Sequence, residues 1–284
     1  MTVFTDADAY LGSSDSRFFS SGYKKVSYEL ADEAVLNNSY SANLRLTYPE
    51  DWSVKKKNRL PPHLSSIDVM LMSARSCGEI LASRNKEKFE ISQMTIRASR
   101  KPLEDLNSVC VIFDVMSESE LTVMFVGKVG NMNVVLEVTN RESNDLQLSS
   151  NFSMEGFKNS KQSIENIKLK NILESEAIVI KTVNGERCEH IDYIDAFVSG
   201  LQLGQILLYE LDDVTREESN NLWMRNIDLK LSQKEKTHLN NNLEVALENI
   251  SLIKKDDTEW RCADIVAKLN NIQLRCSITH QLNR

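Results

Sequence analysis

Motifs that define several common enzyme classes are missing from the 284-residue sequence. It contains no HExxH metal-binding helix, no phosphate-binding loop, no GxGxxG and no GxSxG. Gly127-Lys128-Val129-Gly130 lies between two alternating apolar runs, which is typical of a hairpin turn rather than of a phosphate cradle. We therefore expect neither a bound metal ion nor a cofactor.

Closely spaced cysteine pairs and an excess of positive charge are also missing. Five cysteines occur without a CxxC pair, so the sequence predicts neither a disulfide framework nor a zinc site. Lys and Arg number 34 against 41 Asp and Glu, and this net charge of −7 argues against a nucleic acid partner. No run approaches ~18 uninterrupted apolar residues, so we expect no membrane span. The first residues lack a basic region followed by an apolar one, and we expect a cytoplasmic protein.

A short phrase occurs twice in the chain. The pattern His-x-x-x-Ile-Asp begins at His63 and again at His190, and each copy opens a long apolar run with helical spacing. The similarity continues into these runs, where Gly78-Glu79-Ile80-Leu81 corresponds to Gly204-Gln205-Ile206-Leu207 with one residue of slippage. Solenoid repeats have periods of ~20–50 residues, so the wider spacing indicates a duplicated domain.

Both halves have the same predicted order of elements: strand-like runs, one long helix, and then a meander of alternating runs. The helices are predicted over residues 67–82 and 191–211, and both are apolar on almost every face, so they should be buried. An antiparallel sheet can bury a single helix by curling around it. We therefore predict an α+β protein of two fused hotdog domains, residues 1–150 and 151–284, joined by a polar linker from Asn140 to Lys161. The domains should pack as a pseudo-dimer, in a monomer or a homodimer.

A histidine precedes each predicted helix, and an aspartate lies in its first turn. The pairs are His63 with Asp68 and His190 with Asp195. These residue types can act as general acid and base, while the amides of a helix N-terminus can polarise a thioester carbonyl. In a fused duplication His63 can face Asp195, or His190 can face Asp68. Pro61-Pro62 fixes the approach to the first helix, which favours His63 as the active histidine.

A purely structural role would explain the same residues. An aspartate in the first turn interacts favourably with the helix dipole in any protein, and a histidine before a helix can cap it. Ser65 or Ser66 can also cap the first helix. Neither helix carries a second histidine at i+4, which argues against a metal site. Catalysis and capping both stay open at this stage.

The N-terminal segment carries a distinctive motif. Leu11-Gly12, Asp15-Ser16-Arg17-Phe18-Phe19 and Gly22-Tyr23 follow one another closely. This order resembles the opening of the avirulence D (AvrD) proteins of plant-pathogenic bacteria, with Ser20 standing where glycine is expected. The resemblance implies a part in the biosynthesis of syringolide-like elicitors, which are small acyl-sugar lactones.

The resemblance further implies an acyltransferase-type condensing enzyme. Its substrates would be a β-ketoacyl thioester, delivered by coenzyme A or an acyl carrier protein, and a small keto-sugar such as xylulose. A similar condensation with a three-carbon keto-sugar phosphate is attributed to the A-factor synthase family of double hotdogs. Two other functions stay open: a hotdog thioesterase or dehydratase acting on acyl thioesters, and a non-catalytic acyl-binding module.

The N-terminal motif itself has two interpretations. Asp15, Arg17 and Tyr23 could belong to the substrate site, with Arg17 holding a sugar or phosphate oxygen by paired hydrogen bonds. Alternatively, Phe18 and Phe19 pack on the sheet as a structural plug, which is the interpretation that we favour.

Overall fold

The computed structural model describes the chain in several segments and divides it into two compact units. The N-terminal unit consists of Lys24–Pro49 and Pro61–Lys158, and the C-terminal unit of Met1–Tyr23, Glu50–Leu60 and Asn159–Arg284. Most of the predicted linker, including the proposed boundary at residue 150, lies outside the described residues. The described residues are 2–55, 58–59, 61–86, 89–140, 157–219, 221–231, 241–255 and 257–282.

The described elements are mostly strands, with two long helices. In chain order they are β1 (Thr2–Asp6), α1 (Ala7–Leu11), β2 (Ser27–Leu36), β3 (Ser39–Thr47), β4 (Val54–Lys55), β5 (Asn58–Arg59), α2 (Ser66–Ala82), β6 (Phe89–Arg97), β7 (Val109–Glu118), β8 (Thr122–Val129), β9 (Met132–Asn140), β10 (Ser160–Asn171), β11 (Glu174–Val183), β12 (Glu186–Cys188), α3 (Tyr193–Asp212), β13 (Trp223–Leu231), β14 (Asn242–Lys255), β15 (Thr258–Leu269) and β16 (Ile272–Leu282).

The two units share one topology. Neighbouring strands of the N-terminal unit follow the order β2-β3-β7-β8-β9-β6, and those of the C-terminal unit follow β10-β11-β14-β15-β16-β13. Strands that are equivalent in the repeat hold the same place in the two orders. Every pairing within each order is antiparallel. The duplication read from the repeated phrase is therefore a duplication of structure.

Each long helix is buried by the sheet of its own unit. α2 packs against β3, β6, β7, β8 and β9, and α3 packs against β10, β11, β14, β15 and β16. Buried residues make up 13 of the 17 positions of α2 and 15 of the 20 positions of α3, so neither helix lies on the surface. The prediction of two fused hotdog domains is confirmed. No helix in the described part of the chain combines the length and hydrophobicity needed to cross a membrane.

α3 lies very close to the strands that cover it. A Cβ atom added to Gly204 would lie 2.7 Å from Cγ2 of Ile265 on β15, and one added to Gly200 would lie 2.9 Å from Cβ of Ala267. Real Cβ atoms do not approach side chains so closely, so both glycines are needed for packing. The glycines that cost helix propensity thus allow the helix to approach the sheet.

The N-terminal segment belongs to the C-terminal unit rather than to the first hotdog domain. β1 pairs antiparallel with β10, with Thr2 opposite Leu169, and extends that sheet by one strand. Tyr10 donates a hydrogen bond of 2.7 Å to Glu210 on α3. The Phe19 ring makes an edge contact with Phe197, also on α3. These contacts hold the segment along the second helix, where it can supply residues to a site.

Candidate functional site

The repeated phrase encodes the same helix start in both units. Ser65 is the N-cap of α2 and Asp192 the N-cap of α3, and the aspartate three residues later completes a capping box in each. Asp68 accepts from the Ser65 amide at 2.8 Å, and Asp195 accepts from the Asp192 amide at 2.9 Å. The return bonds are 3.2 Å and 3.0 Å long. Capping, one of the two interpretations of the phrase, is therefore part of its role in both halves.

In the N-terminal unit, neutral donors surround Asp68. The Tyr28 hydroxyl donates to its Oδ1 at 2.8 Å, and the hydroxyls of Tyr48 and Ser65 donate to its Oδ2. Asp68 is almost fully buried, and burial raises its pKa above the ordinary value of a carboxyl. Burial together with Asp68 also raises the pKa of Tyr48 well above its ordinary value. The hydroxyls and the Ser65 amide already satisfy this carboxyl group, as expected of a structural residue.

In the C-terminal unit, charged groups surround the equivalent Asp195. Nζ of Lys181, on β11, lies 2.5 Å from its Oδ2 and 3.2 Å from Oδ2 of Asp192. The Gln162 side chain on β10 donates to its Oδ1. The two copies of the first-turn aspartate therefore have different surroundings, since among the described residues a cation pairs with the second and only neutral groups donate to the first.

The pKa values of the two aspartates at the start of α3 shift in opposite directions. Burial and the neighbouring Asp192 raise the pKa of Asp195 to about 7. Burial also disfavours the charge of Asp192, but the Lys181 ammonium, the Asp195 amide and His190 together outweigh this effect and lower the pKa of Asp192. The Asp192 side chain is 31% exposed and that of Asp195 only 2%. Because the better solvated carboxylate keeps its charge, Asp195 holds the proton that titrates near neutral pH.

A partly open cavity of about 360 Å³, lined mostly by polar residues, lies beside this cluster, within the C-terminal unit. Its walls include Gln162, Thr182 on β11, Gln202 on α3 and Arg17 from the N-terminal segment. Gln162 connects the cavity to the helix start, because its amide nitrogen donates to Asp195. Its amide oxygen accepts from the Tyr23 hydroxyl at 3.3 Å. The volume is near the lower end of the roughly 300–1,000 Å³ typical of small-molecule sites.

Arg17 is a buried residue of the cavity wall. The residue is 5% exposed, and Nη1 donates to Oε1 of Gln202 at 2.7 Å, while Nη2 is paired with Asp8. Burial lowers the pKa of Arg17, although Asp8 opposes the shift. Phe18 and Phe19 meet edge to face, and Phe18 also packs on Trp52. The motif thus combines an aromatic plug with a cavity wall, which the sequence presented as alternatives.

Three further predicted site residues, Asp15, His63 and His190, do not line the cavity. Asp15 is exposed in the short 3₁₀ helix Ser14–Ser16 and is not part of the cavity wall. His63 has its Nδ1 3.2 Å from the Pro61 carbonyl oxygen. His190 is exposed just before α3, close enough for its charge to act on Asp192. The pairing of a histidine of one half with an aspartate of the other stays a prediction.

The helix amides are less available than the sequence suggested. The Asp192 side chain accepts from the amides of Ile194 and Asp195, and its carbonyl accepts from the Ala196 amide. A thioester carbonyl would therefore have to displace a capping bond to reach them. Among the described residues, no group of three or more His, Cys, Asp or Glu side chains is arranged to hold a metal ion.

Several residues of the cluster were not identified from the sequence. Lys181 is the clearest, and a signal was available for it. On β11 the buried positions alternate through Ala177 and Val179 to Lys181, so a cation occupies a position where the pattern calls for an apolar side chain. Gln202 likewise interrupts the apolar surface of α3. A buried charge or amide needs a hydrogen-bond or charge partner. Clusters of such groups with shifted pKa values are common at functional sites.

Comparison with solved structures finds chains that match nearly the whole length at low identity. An acyl-ACP thioesterase from Bacteroides thetaiotaomicron is 10% identical, with 91% of this chain and 99% of that chain covered and a TM-score of 0.45. A protein with a hot dog fold from Alicyclobacillus acidocaldarius is 8% identical, with 93% and 96% covered and a TM-score of 0.40. A trans-AT PKS dehydratase domain from Brevibacillus brevis is 10% identical, with 88% and 96% covered and a TM-score of 0.43.

Comparison with curated proteins finds no match. The sequence does match the family described as Pseudomonas avirulence D protein (AvrD), and it does so twice, over residues 2–174 and over residues 151–283. The two matches overlap over residues 151–174 and together cover nearly the whole chain. The resemblance first drawn from the N-terminal motif is confirmed, and the chain belongs to the AvrD family.

Proposed function

We propose that the protein is a biosynthetic acyltransferase that esterifies a hydroxyl group of a small keto-sugar with a β-ketoacyl group taken from a thioester. Membership of the AvrD family supports a biosynthetic role related to acyl thioesters. The observation that carries the proposal is the position of Gln162, which lines the polar cavity and also donates to Asp195. Gln162 thus stands between a small polar substrate in the cavity and a carboxyl group that titrates near neutral pH.

In the proposed reaction, the sugar hydroxyl oxygen attacks the thioester carbonyl carbon. A carbon–oxygen ester bond forms, the carbon–sulfur bond breaks, and the hydroxyl proton passes to the Asp195 carboxylate. The leaving thiolate takes a proton from His190, and exchange with solvent returns both residues to their starting charge. A general base with a pKa near 7 is well matched to neutral conditions and typically contributes ~10²–10⁴-fold to the rate. Lys181 would hold the Asp195 carboxylate in place.

The C-terminal unit is the better candidate for the active half. Asp68 accepts from three hydroxyl groups and one amide of its own unit, and no cation is among those donors. Asp195 instead belongs to a charged cluster beside a cavity. We therefore propose Asp195 and His190 as the catalytic pair, although the approach through Pro61-Pro62 had favoured His63. In this proposal Asp68 and His63 have structural roles.

The product of the reaction tests this function directly. The protein is incubated with a β-ketoacyl-coenzyme A and D-xylulose, and the products are separated and identified by mass spectrometry. We expect a new acyl sugar that appears only when both substrates are present. Free β-keto acid as the only product would instead identify a thioesterase. Saturable binding of the thioester without turnover would identify an acyl-binding module, and either result would contradict the proposal.

A further inference from the structure

The two sheets differ on their outer faces, which are turned away from the buried helices. Their positions can be matched because the same pair of strands meets at a tight turn in each unit: Val129 lies opposite Met132 in one, and Leu269 lies opposite Ile272 in the other. Counting along the paired strands from these turns matches Ile112, Met124, Val126 and Val135 with Glu244, Asp264, Val266 and Arg275, in that order. One outer face is therefore apolar at four positions where the other carries charge at three.

The outer face of the C-terminal sheet is suited to contact with water. Arg275 pairs with Glu248 at 2.6 Å and with Asp264 at 2.9 Å, and the side chains of Arg275 and Glu248 are 43% and 47% exposed. The Asn249 side chain also donates to Asp264 at 2.8 Å. Covering these ionised groups with another protein would remove their hydration at a cost in free energy. This face is an internal reference for the equivalent face of the other sheet.

The matching face of the N-terminal sheet carries a contiguous apolar patch. Ile112 and Val135 are 44% and 42% exposed, while Met124 and Val126 are half-buried. Val126 lies directly opposite Val135 on β9, and Ile112 is its diagonal neighbour on β7. Single apolar side chains are normal on a protein surface, but a contiguous group of them marks an interaction site.

The area of this face is sufficient for a specific contact. It spans β7, β8, β9 and β6, which are paired in that order and are eight to ten residues long. Four strands spaced ~4.8 Å apart, with a rise of ~3.4 Å per residue, cover roughly 500 Å². Two such faces in contact would bury roughly 1,000 Å² or more, which is the area that a specific interface needs.

The charged groups of this face are separated by sign. They are Arg97, Lys128, Asp114, Glu137 and Glu90. Both cations lie in the row next to the turn between β8 and β9, and both glutamates lie towards the other end of the strands. Asp114 lies between the two groups, on the side where the polar residues of β3 begin, and accepts from the Ser39 hydroxyl. Within the described part of the chain neither cation has a carboxylate partner, so both are available to a partner across an interface.

We infer that the outer face of the N-terminal sheet docks a second copy of this chain in a twofold symmetric dimer. A twofold axis that runs across the strands, through the row of Val126 and Val135, would set the basic row of each copy against the glutamates of the other. A face that carries both signs in this order is complementary to itself, as a twofold interface requires. An anionic membrane surface would instead require cations across the whole face. The inference goes beyond the proposed function and does not depend on it.

The mass of the full-length protein in solution tests the inference. Sedimentation velocity is recorded at about 1–100 μM, a range in which interfaces of standard size associate. We expect twice the 32.4 kDa mass of one chain at the upper end of that range. The mass of a single chain at every concentration would overturn the inference, because the face would then belong to a different partner.

Two equivalent valines provide a matched pair of variants. Val126→Lys places an ammonium group at the centre of the proposed interface, where it would meet its own copy. Val266→Lys makes the same change on the outer face of the other sheet, and both valines are half-buried. We expect the first to weaken dimerisation at least tenfold and the second to change it less than threefold. Wild-type dimerisation of Val126→Lys, or an equal loss in both variants, would contradict the inference.

A second variant keeps the test valid if Val126→Lys does not fold. Val135→Arg copies Arg275, the residue at the equivalent position of the C-terminal sheet, so the same fold already accommodates it there. We expect dimerisation at least tenfold weaker with an unchanged far-UV circular dichroism spectrum. A folded Val135→Arg protein that dimerises like wild type would place the interface elsewhere.

Charge reversal tests the twofold arrangement. Within one chain Lys128 and Glu137 lie four residues apart along the strands, roughly 14 Å, which is too far for a direct ion pair. Lys128→Glu and Glu137→Lys should each weaken dimerisation at least threefold, because like charges would then meet across the axis. The double variant should restore it to within about threefold of wild type. A double variant that is as weak as the sum of its single changes would overturn the proposed pairing of the two faces.

Discussion

The Lys181 ammonium compensates two carboxylates at the start of α3, and its removal should be costly. Nζ lies 2.5 Å from Asp195 and 3.2 Å from Asp192, and the side chains of Lys181 and Asp195 are 6% and 2% exposed. Lys181→Met keeps most of the aliphatic chain but leaves Asp195 buried without its cation. Removing one partner of a buried pair typically costs about 3–5 kcal/mol. We expect the free energy of unfolding to fall by about that amount at pH 8.

The effect of Lys181→Met should depend on pH in a defined direction. A carboxyl whose pKa is raised by folding destabilises the protein as pH rises from the unfolded value, about 3.9, through the folded value. Burial sets the folded pKa of Asp195 at about 7, and loss of the cation would raise it further. At pH 5.5 Asp195 is protonated and uncharged in both proteins. The substitution therefore removes little Coulomb attraction between Lys181 and Asp195. The difference between variant and wild type should therefore be smaller at pH 5.5 than at pH 8.

Urea unfolding followed by tryptophan fluorescence at both pH values measures this difference. Lys168→Met is the matched control, because Lys168 on β10 pairs with Glu176 at 3.4 Å while both side chains are exposed, at 46% and 36%. Exposed pairs contribute ~0–1 kcal/mol, so the control should change little. A loss below about 1 kcal/mol for Lys181→Met at pH 8, or a loss independent of pH, would refute the reasoning.

Three further predictions concern the residues around the two helices. Tyr48→Phe removes a donor to the buried Asp68 and should cost about 1–3 kcal/mol in urea unfolding; no loss would mean that water replaces the hydroxyl. Gly204→Ala should lower the unfolding free energy by about 1–3 kcal/mol because of overpacking, although alanine has ~1 kcal/mol better helix propensity; a gain would show that the sheet yields. Arg17→Lys should reduce acyl-sugar formation more than tenfold with little change in melting temperature. Phe19→Ala should instead lower the melting temperature and leave the rate of acyl-sugar formation nearly unchanged. The reverse pattern would make Arg17 structural.

Local and periodic features of the fold could be predicted from the sequence. The start of α2 was readable because a capping box joins residues only three apart, here Ser65 and Asp68. The strands were readable because alternate positions are buried, as on β3 from Tyr40 to Leu46. α3 starts at Tyr193, two residues after the predicted start, because Asp192 is its N-cap.

Long-range features could not be predicted in this way. The N-terminal segment joins the C-terminal unit because β1 pairs with β10, and no local pattern relates Thr2 to Leu169. The cluster around Asp195 depends on β10, β11 and α3 coming together, so the repeated phrase alone could not distinguish it from Asp68. Duplication made the two aspartates look equivalent, and their different donors became visible only in the fold.

The central claim is that the two first-turn aspartates have diverged, Asp195 to catalysis and Asp68 to structure. Initial rates of acyl-sugar formation for Asp195→Asn and Asp68→Asn, with melting temperatures for both, test it most directly. We predict a loss of ~10²–10⁴-fold for Asp195→Asn with the fold retained, and a wild-type rate that rises as pH passes through about 7. Asp68→Asn should stay within about threefold of wild type but melt earlier. The opposite ranking, or rates within about threefold for both variants, would contradict the account.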